Sequence, residues 1–282
     1  MKLVRLSAGA AVVLAASLLS AQGAQAADGS TTSFLRDSTP CQNKLISAHE
    51  GARHNADGDT LDSQKAAFRI GANIADTDVW ETADNYMVEI HDEDVSHSTT
   101  GTGLISDMTI DTWGALRTTQ YQEPIPTIEQ TLALPQLPRM GRKVMMETKY
   151  KFNKWQRPDA LSHLADKIKA SGMDKKTIIY SQFGEQLKTL RQLDPALTLW
   201  YKPYDTLPSV ATVLGYDANG VLLPFSLMTA KNVAKFHAAG LTVMRMRTPE
   251  TVDKWNAFLA TGADGLMTES PAKMIKWCRA LG

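Results

Sequence analysis

Between Leu45 and Thr268 the chain alternates short apolar or β-branched runs with amphipathic helical stretches, and this alternation limits the fold more than any other feature. Such a pattern reads as a parallel sheet with helical crossovers. The runs Leu45–His49, Ile74–Val79, Lys143–Lys149, Thr177–Ser181, Leu197–Lys202, Val221–Pro224, Leu241–Met246 and Gly265–Thr268 give eight strands. Helical stretches at Pro158–Ser171, Gln182–Leu193, Thr229–Ala239 and Pro249–Thr261 separate the later ones, and Gly172, Gly240 and Gly262 stand where helix ends favour a residue tolerant of positive φ. Eight strands with crossover helices predict an α/β fold, the (β/α)8 TIM barrel. One run departs from it. Tyr86–His91 follows Val79 too closely for a parallel crossover, so it is expected to fold back on strand two as an antiparallel hairpin. The segment from about 92 to 137, rich in Thr, Gly, Asp and Pro, then reads as a loop-rich insertion. Loops after barrel strands build the catalytic face, so this one is expected to cap or wall the site.

Ahead of the first strand, Lys2 and Arg5 precede an apolar run from Ala8 to Leu19 and the small-residue exit Ala24-Gln25-Ala26. This is the layout of a signal peptide spanning residues 1–26, cleaved near Ala26, which leaves residues 27–282 as a single barrel domain in the periplasm or outside the cell. The alternative is a retained N-terminal helix. No cysteine at the exit offers a lipid attachment point, and no stable membrane insertion is expected. Removing the segment leaves 28 basic against 30 acidic residues, which points to neither nucleic acid nor an anionic membrane as partner. The two cysteines, Cys41 before strand one and Cys278 in the last helix, lie at the same non-catalytic rim of a closed barrel. A bridge between them is expected, against the alternative of two unrelated buried thiols.

Ionisable residues gather at the C-terminal ends of the early strands: His49 and Glu50, Asp76 and Asp78, Glu147 and Lys149. Side chains at i and i+2 share a face, so Asp76 with Asp78, and Glu147 with Lys149, point together into the barrel mouth. Burying these carboxylates without a cation is expensive, whereas Ca2+ or Mg2+ takes oxygen ligands of this kind. Zinc fits less well, because no Cys or His cluster has its spacing. His91 closes the hairpin and is expected over the same mouth as His49. Two imidazoles opposite a metal suit acid–base work in phosphodiester cleavage. Lys149 offers a charge for a phosphate oxygen, its plainer role being a salt bridge to Glu147. His54, His97, His163 and His237 read as structural or exposed.

Ile46-Ser47-Ala48-His49-Glu50-Gly51-Ala52, Gly71-Ala72-Asn73-Ile74-Ala75-Asp76-Thr77-Asp78-Val79 and Val88-Glu89-Ile90-His91-Asp92 follow one another in an order and spacing that resemble the glycerophosphodiester phosphodiesterase family. Thr99-Thr100-Gly101-Thr102-Gly103, Glu147-Thr148-Lys149, Ser181-Gln182-Phe183 and Gly262-Ala263-Asp264-Gly265-Leu266-Met267-Thr268-Glu269-Ser270-Pro271 continue the likeness to the C-terminus. The resemblance implies His49 and His91 as the catalytic pair and Asp76, Asp78 and Glu147 as holders of one divalent cation. It also implies a glycerophosphodiester substrate whose glycerol hydroxyl attacks the phosphate before water releases glycerol 3-phosphate and an alcohol.

The departures are as informative. Relatives have His-Arg-Gly where this chain has His49-Glu50-Gly51, and Pro-Glu-Asn-Thr where it has Asp57-Gly58-Asp59-Thr60. A metal-binding Glu is shortened to Asp76, and Trp-Thr-Val-Asn is replaced by Met244-Arg245-Met246-Arg247. An anion in place of a phosphate-binding cation repels a diester. Either Arg53, Arg245 or Arg247 supplies the charge, or Glu50 is a further metal ligand or meets a cationic head group. Two other readings remain beside the first. One is phospholipase D-like cleavage of a lysophospholipid or sphingomyelin, favoured if Met108, Trp113 and Tyr121 form an apolar rim rather than packing on the barrel. The other is a non-catalytic phosphodiester-binding protein, against which all five histidine and carboxylate positions are kept.

Overall fold

A computed structural model describes residues 41, 43–54, 56–134, 137, 141–149, 159–247 and 250–281. The expected signal peptide lies outside them. The strands are β1 (Leu45–Ala48), β2 (Ile74–Glu81), β3 (Met87–Glu89), β4 (Lys143–Thr148), β5 (Thr177–Ser181), β6 (Thr198–Tyr201), β7 (Gly220–Leu223), β8 (Thr242–Arg245) and β9 (Gly265–Thr268). All but β3 run parallel, and β1 pairs with both β9 and β2, so the sheet closes into an eight-stranded barrel. Antiparallel to β2, β3 sets Val79 opposite Glu89 and is shorter than the expected Tyr86–His91. His91 therefore lies beyond the hairpin strand.

Alternation along the strands sorts side chains between two apolar layers. Ile74, Met145, Ile178, Tyr180, Trp200, Leu222, Met244 and Met267 fill the barrel interior. Their neighbours in the chain, such as Ala75, Val144, Met146, Ile179 and Val243, face outward to the helices. Gly220 is needed inside, since a Cβ there would stand 2.8 Å from the Trp200 indole nitrogen and from the Thr242 carbonyl. Surrounding the barrel are α1 (Leu61–Ile70), α4 (Ala160–Ala170), α5 (Gly184–Leu193), α6 (Val210–Gly215), α7 (Ala230–His237), α8 (Val252–Thr261) and α9 (Pro271–Ala280), while the short α2 (Ile110–Ala115) and α3 (Ile128–Leu132) belong to the insertion. Gly172, Gly240 and Gly262 adopt positive φ at helix ends. No helix among the described residues is long and apolar enough to cross a membrane.

Met108 and Trp113, candidates for an apolar rim, are buried instead, and the Trp113 indole donates to the Ile125 carbonyl at 3.2 Å. Under the insertion, Glu89 is fully buried and accepts hydrogen bonds on Oε2 from Gln64 of α1 and Thr131 of α3. Burial pushes its carboxyl up from 4.5 to about 8, against those two donors. A raised acid stabilises the fold fully below its unfolded value, and the contribution is lost as pH climbs from 4.5 through about 8. Between pH 5 and pH 8, urea denaturation is expected to show the Glu89→Gln variant losing less stability than wild type, by about 1 kcal/mol or more. Parallel losses in both proteins would refute this.

Cys41 and Cys278 are bonded, with Cα atoms 5.6 Å apart, and tie α9 to the chain entering β1 across 237 residues. A link between positions so distant in the chain removes much freedom from the unfolded state. Replacing both cysteines by serine is expected to lower the unfolding free energy by about 2–5 kcal/mol. Unchanged denaturation curves for the double variant would remove the bridge from the stabilising interactions.

Candidate active site at the barrel mouth

The inward positions that carry apolar groups deep in the barrel carry charge at its C-terminal end. Asp76 and Asp78 follow Ile74 on β2, Glu147 follows Met145 on β4, and Asp78 stands opposite Glu147 in the register. The same parity carries Lys149, Lys202 and Glu269 inward just past β4, β6 and β9. The turn after β1 is held in left-handed conformations at Glu50 (φ 52°), Gly51 (φ 79°) and Asp59 (φ 56°). For Glu50 and Asp59 this conformation costs energy, and such strain concentrates at functional sites. It brings the Glu50 N–H to Asp76 Oδ2 (3.4 Å) and Asp59 Oδ1 to the Asp78 N–H (3.2 Å).

The imidazoles have distinct partners. His49, almost buried, places Nδ1 3.0 Å from Glu269 Oε1 and 3.6 Å from Glu50 Oε1. Exposed His91 pairs Nδ1 with Asp92 Oδ1 at 3.0 Å. Both rings line one pocket of about 50 Å³, together with Glu147, Lys149, Lys202 and Arg247. Lys149 approaches Asp78 Oδ2 at 2.9 Å and donates to the His91 carbonyl at 3.1 Å. Glu147 is taken by Lys202, 2.5 Å away, so the plainer role considered for Lys149, a bridge to Glu147, is filled by Lys202 instead.

Burial pushes Asp76 and Asp59 well above the ordinary carboxylate range, and the charge of Asp78 adds to both shifts. Asp78 rises to about 8, chiefly through burial, with Lys149 opposing and Glu147 reinforcing the shift. Asp76 Oδ1 and Asp78 Oδ1 accept no hydrogen bond. Glu50 Oε, Asp78 Oδ and His91 N also converge, one atom of each lying within 4.8 Å of the others. Buried, mutually repelling oxygens without donors fit a hard divalent cation. Glu50, read from the sequence as a further metal ligand or a contact to a cationic head group, belongs to this cluster, and Asp76 and Glu147 adjoin it through their charge interactions with Asp78.

Glu269 is the residue that pattern reading passed over most completely. Burial favours its neutral form, but His49, Arg53 and Arg247 around it hold it down at about 2. Arg53 spans Glu50 Oε2 (2.7 Å) and Glu269, and Arg247 reaches Glu269 Oε1 at 3.2 Å. Of the three arginines considered as a compensating charge, Arg245 is excluded. Its parity points it outward, where it is fully buried over Phe225 and Phe258 and donates to the Lys254 carbonyl. Lys202, by contrast, reaches the mouth, as parity with the inward Trp200 requires. His163 and His237 pair with Glu81 and Asp264 away from the mouth.

The chain is similar to glycerophosphodiester phosphodiesterases of Caldanaerobacter subterraneus subsp. tengcongensis (24% identical, covering 84% of this chain and 99% of the relative) and Bacillus altitudinis (24%, 82% and 96%). Its fold matches a glycerophosphodiester phosphodiesterase from Agrobacterium tumefaciens with a TM-score of 0.71 (21% identical, covering 83% of this chain and 99% of that one). It also matches an Oleispira antarctica phosphodiesterase in complex with the product sn-glycerol-3-phosphate, with a TM-score of 0.74 (22% identical, 82% and 95%). The model of the glycerophosphoryl diester phosphodiesterase family matches residues 49–273, most of the barrel and its mouth. On that match the chain belongs to the glycerophosphoryl diester phosphodiesterase family, enzymes that hydrolyse glycerophosphodiesters.

Proposed function

We propose that the chain hydrolyses glycerophosphodiesters to an alcohol and glycerol 3-phosphate, by metal-dependent two-histidine catalysis, in the periplasm or outside the cell. The observation that carries this reading is the small pocket in which His49 and His91 stand with Lys149, Lys202 and Arg247. It is a phosphate-sized space with two proton carriers and three cations on its walls. Export rests on the N-terminal sequence, and the Cys41–Cys278 bond suits an oxidising compartment.

Asp76, Asp78 and Glu147, joined by Glu50, would hold a Ca2+ or Mg2+ ion, which when bound supplies charge stabilisation to the phosphoryl oxygens. Ionised Glu269, its Oε1 3.0 Å from His49 Nδ1, would hold the proton on that nitrogen and leave Nε2 as the basic one. His49 takes the proton of the glycerol hydroxyl as its oxygen bonds to phosphorus, and protonated His91 gives a proton to the departing alcohol oxygen. Water then attacks the cyclic phosphate, passing its proton to His91, while His49 returns a proton to the glycerol oxygen. Lys149 and Lys202 offset the negative charge that Glu50 brings where relatives carry arginine.

Release of glycerol 3-phosphate from a panel of glycerophosphodiesters tests the reading. Activity is expected to vanish with EDTA and return with Ca2+ or Mg2+, and His49→Ala is expected to lower kcat by about 10²–10⁴-fold. Metal-independent turnover, or a fully active His49→Ala, would overturn it. Glu269→Gln removes the charge but not the shape of the orienting partner, so kcat is expected to fall about tenfold or more with little change in KM. Equal kcat in that variant would leave Glu269 without a role in orienting His49.

A further inference from the structure

Beside the phosphate-sized pocket opens a larger cavity of about 340 Å³, and His91 lines both. One wall is the turn after β1, including Asp57 and Asp59. The other comes from the insertion, with Ser98, Thr99, Thr118 and Gln120. If His91 protonates the departing oxygen, the alcohol attached to that oxygen lies on the His91 side, in this cavity.

Its chemistry selects among alcohols. Hydroxyl, amide and carboxylate groups dominate the lining, and no Phe, Tyr or Trp ring stands among the described residues there. A trimethylammonium group is held by aromatic faces and cannot donate hydrogen bonds, and an acyl chain needs an apolar channel. Ser98, on the lining, holds its Oγ buried without a hydrogen-bond partner. A buried hydroxyl left open in this way favours a ligand that can hydrogen-bond to it over one that cannot. Asp57, a carboxylate on the same lining, is held in place: its N–H donates to Glu123 Oε2 and its Oδ2 accepts from the Tyr121 N–H, both at 2.8 Å.

We infer that this cavity is the leaving-group subsite and that it prefers small alcohols bearing hydrogen-bond donors, an ethanolamine or glycerol head group, over choline or an acylated glycerol. The inference rests on the hydrolytic reading above and deepens it.

The purified metal-loaded protein is tested on glycerophosphoethanolamine, glycerophosphoglycerol, glycerophosphocholine and lysophosphatidylcholine. Values of kcat/KM on the first two are expected to exceed those on the last two by about tenfold or more. Asp57→Asn keeps an acceptor for the Tyr121 N–H while removing the charge. A fall of about fivefold or more in the ethanolamine-to-glycerol ratio assigns the preference to the ammonium group, and an unchanged ratio assigns it to hydroxyls. Ser98→Ala is expected to narrow the gap between donor-bearing substrates and the choline diester, with circular dichroism confirming an intact fold. Choline or lysolipid substrates cleaved as fast as the other two would overturn the subsite while leaving the hydrolytic reading intact. Absence of metal-dependent turnover on all four would sink both.

Discussion

Five acidic side chains, Glu50, Asp59, Asp76, Asp78 and Glu147, share the mouth of this barrel, all of them buried, and their mutual repulsion shapes what surrounds them. In a dry site such a cluster is tolerable only if charge is neutralised by protons, cationic side chains or a metal ion. The structure uses the first two openly. Lys149 engages Asp78, Lys202 engages Glu147, Arg53 engages Glu50, and burial shifts Asp59 and Asp76 toward their neutral forms. A divalent ion would favour the ionised forms instead, which is how metal affinity becomes coupled to pH. The barrel supplies the rigidity that keeps the carboxylates together, since the oxygens of β2 and β4 are locked in register by the parallel ladder.

That ladder also explains why much of the site was legible in the sequence. Period-two alternation converts position in a strand directly into direction, so Asp76, Asp78, Glu147 and Lys149 could be placed at the mouth once their strands were drawn. The same rule, applied one strand further, would have found Lys202, two residues beyond the inward Trp200. It was obscured because Lys202 follows two aromatic residues and a lone lysine at a strand end looks like a solvated terminus. Arg245 was misjudged for the converse reason. Its charge drew attention, while its parity with outward Val243 placed it under α8.

Glu269 and Asp59 illustrate a different limit. Asp59 lies in no strand, so no periodicity reports its direction, whereas parity with the inward Met267 turns Glu269 to the mouth but names none of its partners. Asp59 is aimed by a left-handed backbone in the turn after β1, and Glu269 is defined by partners hundreds of positions away in the chain, His49 and Arg53. A proximity of this kind arises only when the first and last strands of the barrel meet. Strand order and closure were readable from the pattern, but the contacts that closure creates at its seam were not.

The exchange of arginine for Glu50 can now be followed through its neighbours. An isolated anion there would repel both the substrate and the other carboxylates. Arg53, three residues on, meets Glu50 from the side and binds Glu269 with its other nitrogen, so the positive charge remains near the mouth but is displaced by one turn of chain. Glu269 in turn holds Arg247 and His49. Ion pairs thereby run from Glu50 to Arg53 to Glu269 to the imidazole, and the small pocket is faced by Lys149 and Lys202 as well as by Arg247. Glu50 also borders the larger cavity, where Asp57 and Asp59 outweigh the charge of Arg53, and this is the side on which the inferred donor-bearing head group would be bound.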